Sequence, residues 1–212
     1  MSLLYLFRHG ETASPGMLVG RRDVPLSPSG EQQARQWGLR LQSVPFSAAW
    51  CSPLQRAGLT ASLILQGNRG GLPKAEAIAG LIEISLGEWE GMNKAEAMRL
   101  YPDIWEKRGR DFARVAPPGG ESLEELSDRI LPVFRSICRM AAKYPCSLVV
   151  AHQAVNRAVI AAVKGMPLSR IQEIPQPHCA LTVFAVNEQG DAEIVDDSRP
   201  TEESTPLGSS HG

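Results

Sequence analysis

The residues best suited to chemistry stand where apolar runs turn polar. Leu4-Tyr5-Leu6-Phe7 ends in Arg8-His9-Gly10-Glu11-Thr12. A guanidinium offers a planar fork of donors to phosphate oxygens, glycine lets backbone approach a ligand closely, and an imidazole serves as donor or nucleophile. The pattern returns at Leu148-Val149-Val150-Ala151-His152-Gln153-Ala154, where His152 and the amide of Gln153 face whatever lies beyond the run. A third run, Phe46 to Cys51, leads into Ser52-Pro53-Leu54-Gln55-Arg56. Arg56 then falls in the first turn of a helix, where the dipole is already positive; a bound anion would remove that conflict, as would a surface ion pair. Glu83 lies between Ile82 and Ile84, and apolar surroundings or a nearby phosphate would raise its pKa toward that of a general acid working near neutrality. Pairing with an arginine is the structural alternative, and Glu88 and Glu90 are alternative acids. Together these residues describe an anion site with a nucleophile and an acid.

Such groups need a scaffold that gathers strand ends. The short apolar runs predict strands at 4–7, 46–51, 75–81, 146–151, 180–186 and 192–195, the last two forming a hairpin through Asn187-Glu188-Gln189-Gly190. Ser27-Pro28 or Ser29 with Gln32 starts a helix carrying Ala34, Trp37 and Leu41 on one face, which ends before Pro45. Ala57, Ala61, Ile64 and Leu65 continue a second helix, followed by a loop over 67–73. Residues 93–114 read as two short helices broken at Pro102, with Asn93 and Glu96 as a cap pair; residues 121–143 read as a long amphipathic helix that Pro132 should bend or leave with an unpaired carbonyl; residues 155–164 read as a helix that stops at Gly165. Strands alternating with helices imply an α/β fold whose ligands bind at the carboxyl ends of parallel strands. The helices within about 92–118 are the best candidate for a cap over the site, and residues 1–196 read as a single domain.

Composition narrows the function. The chain has 212 residues, 43% of them hydrophobic, a formal charge of −1 and a pI near 6.4, which gives no electrostatic case for nucleic acid. No leader or long apolar segment is evident, so a soluble cytoplasmic protein without a membrane partner is expected. Cys51, Cys138, Cys146 and Cys179 are scattered without a CxxC pair and read as reduced structural thiols. There is no P-loop and no dinucleotide fingerprint. His178, between Pro177 and Cys179, reads first as a solvent-facing loop residue and second as a pocket residue. From Asp197 onward Ser, Thr, Glu, Pro and Gly predict a disordered tail, and His211 goes with it.

The motifs in order, Leu6-Phe7-Arg8-His9-Gly10-Glu11-Thr12, Gly20-Arg21 with Pro25-Leu26-Ser27 and Gly30, Ser52-Pro53-Leu54-Gln55-Arg56-Ala57 with Thr60-Ala61, Glu83 before Gly87 and Trp89-Glu90-Gly91, Gly120-Glu121-Ser122, and His152, closely resemble the histidine phosphatase superfamily, also called phosphoglycerate mutase-like. The resemblance runs from Leu4 to about Val186. It implies a three-layer α/β/α sandwich with a mostly parallel central sheet, a phosphohistidine mechanism, and no metal or organic cofactor. It also implies His9 as nucleophile, Arg8, Arg56 and His152 as the phosphate pocket, and Glu83 as proton donor. Thr12, Ser14, Gly20, Arg21 and Gln153 are its further phosphate- or substrate-binding positions. One departure stands at Pro15, where many members carry asparagine; Ser14 or a neighbouring amide would substitute. The short stretch from Glu83 to Pro117, the Gly87-Glu88-Trp89-Glu90-Gly91 run and His152-Gln153-Ala154 resemble the fructose-2,6-bisphosphatase and α-ribazole phosphatase branches. The expectation is hydrolysis of a small phosphorylated metabolite. Phosphoglycerate mutase-type transfer, a non-catalytic phosphate-binding regulator and a phosphoprotein phosphatase are the alternatives, and a homodimer is left open.

Overall fold

A computed structural model describes residues 1–68 and 74–196 of the chain. Residues 69–73 of the expected loop over 67–73 and the expected tail over 197–212 lie outside the described residues.

A six-stranded sheet carries the fold, in the order β3-β2-β4-β1-β5-β6. Strands β1 (Ser2–Arg8), β2 (Phe46–Cys51), β3 (Glu76–Ala77) and β4 (Cys146–Ala151) are mutually parallel, whereas β5 (Leu181–Val186) runs antiparallel to β1 and β6 (Ala192–Asp196) antiparallel to β5. The central pair is β1 and β4, with Arg8 opposite Ala151; Cys51 of β2 lies opposite Val150. Three strands therefore end side by side, and the residues that follow them meet at one edge.

Alternation along the central strands divides the core between two faces. Leu4, Leu6, Val149 and Ala151 pack with α5 (Leu123–Ala141) and α6 (Gln153–Val163) on one side. Phe7, Leu148 and Val150 pack with α1 (Pro28–Arg40) and α2 (Gln55–Gln66) on the other. Every residue of β4 is buried, as a parallel strand covered on both faces requires. The result is the expected three-layer α/β/α arrangement.

Helix starts follow the capping signals. Ser27, rather than Ser29, caps α1, accepting from the Gly30 amide at 3.0 Å with Pro28 in the first helical position. Ser122 and Glu125 form a reciprocal capping box on α5, as Asn93 and Glu96 do on α3 (Lys94–Leu100). Helix α4 (Pro102–Arg110) begins at the expected proline. Two boundaries shift: α5 occupies 123–141 within the expected 121–143 and continues through Pro132, and α6 starts at Gln153, immediately after His152, rather than at Val155.

The expected strand over 75–81 is corrected. Only Glu76–Ala77 pairs with β2, and Ala79–Leu81 forms a 3-10 turn. Ile78 donates to Cys51 O at 2.8 Å; Leu81 N then bonds back to Ile78 O and closes the turn. Gly80 lies so close to α5 that a Cβ would stand 2.5 Å from Val133 Cγ2. Packing against the helix thus turns the chain away from the sheet and delivers Glu83 to the strand ends.

Candidate active site

Strand register brings the two histidines together. His9 N donates to Ala151 O at 3.0 Å, and the His9 and His152 rings lie 5.1 Å apart in an edge contact. The turn after β1 rests on the start of α1 through two glycines: a Cβ on Gly10 would stand 2.5 Å from Gly30 O, and one on Gly30 would stand 2.1 Å from Glu11 O. Gly10 N also donates to Thr60 Oγ1, whose hydroxyl donates to Arg56 O. His9 Nδ1 lies 2.7 Å from Gly10 O. A carbonyl only accepts, so Nδ1 carries the hydrogen and the neutral ring keeps its lone pair at Nε2.

The electrostatics keep both rings neutral. Burial, reinforced by Arg8 and Arg56, holds His9 well below the ordinary histidine pKa, and burial, reinforced by His9 and both arginines, does the same to His152. Arg8 is itself brought down to about 10, chiefly by burial. Both guanidinium groups donate to backbone carbonyls rather than carboxylates, Arg8 to Gln176 O and Arg56 to Gly20 O and Arg22 O, the latter two at 2.7 Å. Two cations therefore stand at one place, and among the described residues neither makes an ion pair with a carboxylate. Arg8 Nε, Arg56 Nε, Trp89 Nε1 and His152 Nδ1 are buried without a partner among the described residues. An oxyanion carrying several acceptors suits this set of donors.

Glu83 lies in the same cavity wall. Its carboxylate accepts from the amides of Ile84 at 2.9 Å and Ala154 at 3.3 Å, the latter in the first turn of α6. Desolvation nevertheless outweighs these bonds and the nearby arginines and raises its pKa. Arg129 holds the preceding backbone by donating to Gly80 O and Ile82 O. Glu121 ties Arg129 to Arg21, accepting from each.

Arg21 departs from its expected place. Its Nη2 pairs with Glu121 at 2.8 Å and its Nε donates to Glu83 O at 3.0 Å, so it braces the acid's backbone instead of lining the cavity. The alternative acids also lie outside the cavity. Glu88 accepts from Tyr101 Oη at 2.6 Å on the surface, and Glu90 accepts from the amides of Arg21 and Leu86. His152 is fully buried behind His9, with Nε2 2.7 Å from Ser52 Oγ.

The cavity holds about 760 Å³. Arg8, His9, Thr12, Ser14, Gly20, Arg56, Glu83 and Gln153 all line it, and so does Pro15. Helices α3 and α4 and the turn after them add Lys94, Trp105, Arg108 and Phe112 to its lining. Trp89 and Trp105 pack 5.1 Å apart, and Arg108 lies 4.4 Å over Phe112. Arg157, one turn along α6 from Gln153, was not singled out by the sequence; it lines the wall with Nε bonded to Ile174 O at 2.8 Å.

The solvent-facing reading of His178 is also corrected. Its ring lies 5.9 Å from that of His9 and lines the cavity. The cause is a bend between α6 and β5: Cys179 adopts a left-handed φ of 55°, and its amide donates to His9 O at 3.1 Å. Burial and Arg8 lower His178 to about 4, partly opposed by Glu11. A proline-flanked loop histidine gives no local sign of that long-range bond. All four cysteines are free and buried. Among the described residues, no group of three His, Cys, Asp or Glu side chains is placed to hold a metal ion, and no helix is long and apolar enough to cross a membrane.

Comparison with known proteins matches this geometry. The profile of the Histidine phosphatase superfamily (branch 1) fits residues 4–195. A 6-phosphofructo-2-kinase/fructose-2,6-bisphosphatase of Arabidopsis thaliana is 35% identical over 180 residues, covering 82% of this chain but 23% of that longer protein. A 2,3-bisphosphoglycerate-dependent phosphoglycerate mutase 2 of Gloeobacter violaceus is 32% identical over 188 residues, covering 87% of this chain and 85% of its own. The crystal structure of the alpha-ribazole phosphatase from Shigella flexneri superposes with a TM-score of 0.81 at 28% identity, covering 91% of this chain and 94% of that one. With its two histidines at adjacent strand exits and its profile matched almost end to end, the chain belongs to the histidine phosphatase superfamily, branch 1.

Proposed function

We propose that this protein is a phosphomonoesterase that hydrolyses a small phosphorylated metabolite through a phosphohistidine at His9. The observation that carries the reading is the His9 ring: neutral, fixed as the Nδ1–H tautomer by Gly10 O, and set between two unneutralised arginines. Nε2 attacks phosphorus as the bond to the leaving oxygen breaks. Charge on the transferring phosphoryl oxygens is met by Arg8, Arg56 and His152. Glu83, whose pKa burial raises, gives a proton to the departing alkoxide. Its carboxylate then takes a proton from water, which attacks the phosphohistidine, releases inorganic phosphate and restores His9.

Thr12, Ser14, Gly20 and Gln153 complete the pocket as contacts to the phosphoryl group or to the rest of the substrate, and Arg21 acts through Glu83 and Glu121. A cap of Trp105, Arg108 and Phe112 over a cavity of about 760 Å³ suits a small molecule rather than a phosphoprotein. Likeness to the alpha-ribazole phosphatase, and to 23% of the length of the Arabidopsis 6-phosphofructo-2-kinase/fructose-2,6-bisphosphatase, supports hydrolysis. Likeness to the Gloeobacter mutase makes transfer to a second acceptor the alternative.

The test is phosphate release, in EDTA, from p-nitrophenyl phosphate, 3-phosphoglycerate, fructose-2,6-bisphosphate, α-ribazole phosphate and a phosphopeptide, by the wild-type protein and His9→Ala. Release from one small ester that is lost in the variant is the expected result. Transfer to an added acceptor without hydrolysis would favour the mutase, and phosphate binding without either reaction would favour a regulator. Full activity in His9→Ala would overturn the nucleophile.

A further inference from the structure

We propose that Ser52 is a positioning residue for catalysis: its hydroxyl donates to His152 Nε2 and thereby fixes His152 as the neutral Nδ1–H tautomer, a donor for the phosphoryl group. The inference rests on the phosphatase reading only for the identity of the acceptor.

Counting hydrogen bonds supplies the direction. Ser52 is buried, and its Oγ has two neighbours: the Leu54 amide at 3.3 Å, which can only donate, and His152 Nε2 at 2.7 Å. A hydroxyl has one hydrogen to give. If Nε2–H donated to Oγ, the Ser52 hydrogen would have no acceptor among the described residues, and the buried Nδ1 would carry a lone pair with no donor there to meet it. With Ser52 as donor, Oγ is satisfied on both sides. The hydrogen of His152 then sits on Nδ1, the one ring atom that is buried and has no protein partner. Burial holds the ring neutral, so a second hydrogen is not available to blur the choice.

The backbone explains why a serine can reach. Ser52 N donates to Val150 O at 2.9 Å, which extends the β2–β4 pairing by one residue and sets the side chain beside the residue that follows β4. The same serine receives the Leu54 amide just ahead of α2, so it links Arg56's helix to His152. Both phosphate-facing elements are thereby located by one hydroxyl.

Nitrogen NMR of the histidine ring reads the tautomer directly in the protein without phosphate, with the His152 signal assigned by its loss in His152→Ala. The expected wild-type spectrum has a protonated Nδ1 and an unprotonated Nε2 on His152. A protonated Nε2 would overturn the inference whatever the enzyme's activity. In Ser52→Ala the Nδ1–H preference should weaken, with affinity for inorganic phosphate and kcat/KM each falling about 10- to 100-fold, the range for losing one well-made hydrogen bond to a charged group. Ser52→Thr, which keeps the hydroxyl, should restore both readouts. If Ser52→Ala folds and binds phosphate as wild type does, the positioning role is wrong; if its tautomer is unchanged, Ser52 does not set it. Failure of the phosphatase reading is distinguished because it leaves the wild-type tautomer in place and removes phosphate release from every substrate.

Discussion

The exits of β1 and β4 look alike in sequence and differ in chemistry. Each is an apolar strand that ends in a histidine, and the two histidines lie in edge contact. His9 lines the cavity and is tied by Nδ1 to a backbone carbonyl, which leaves Nε2 as a nucleophilic lone pair. His152 is fully buried, is tied by Nε2 to a side-chain hydroxyl, and has its other nitrogen without a partner. Opposite ring atoms are thus anchored. In the proposed arrangement both rings carry their hydrogen on Nδ1, and the difference lies in which atom is left free: the Nε2 lone pair on His9, the proposed attacker, and Nδ1–H on His152, the proposed donor.

The largest effect should follow from removing the attacker. His9→Ala is expected to lower turnover by on the order of 10⁴-fold or more, and no acid-labile, alkali-stable phosphohistidine should be trapped by rapid quenching in base or by mass spectrometry at alkaline pH. His152→Ala removes a donor instead, so a loss of about 10²- to 10³-fold is expected, with phosphate still trapped at His9. Equal losses in the two variants, or a phosphoryl group on His152, would break the comparison.

Glu83 belongs to the second exit, since its carboxylate accepts from Ala154 in the helix that follows His152. Glu83→Gln keeps the shape but cannot give and retake a proton. For an alkyl phosphate a loss of about 10²-fold is expected; for p-nitrophenyl phosphate, whose leaving group needs little protonation, the loss should be a small fraction of that. A similar loss with both substrates would mean that Glu83 positions rather than protonates.

Much of this was legible in the sequence. Strands β2 and β4 are legible to the residue because largely apolar runs give way there to polar residues, Ser52 after β2 and His152 after β4. Ser122 and Asn93 announced their helices through local capping partners three residues away. What escaped depends on partners far along the chain. The 75–81 segment is apolar enough for a strand, but contact with Val133 turns it after two residues. Arg21 is drawn off by Glu121, one hundred residues later, and His178 is brought in by a bond from Cys179 to His9. Residue type identified the chemistry; only the register and the loops could say which arginine faces the cavity and which braces its wall.

The smallest effect tests whether the two histidines really are neutral in the folded protein. Each has a folded pKa below its unfolded value near 6.5, so below that pH the unfolded chain binds more protons and stability falls as pH falls. Glu83 has the opposite sign: its raised folded pKa makes the folded chain bind more protons above 4.5, and it gains stability as pH falls through that window. Urea denaturation at pH 6.5 and 5.5, on wild type and on each histidine variant, isolates the histidine contribution, because Glu83 is common to all of them. For one neutral buried histidine the expected loss across that unit is about 1 kcal/mol, and His152→Ala and His9→Ala should each lose about that much less than wild type. If only the His152 variant shows the relief, His9 is protonated in the folded protein over this range, its Nε2 has no lone pair to offer, and the division of labour between the two strand exits fails at its nucleophilic half.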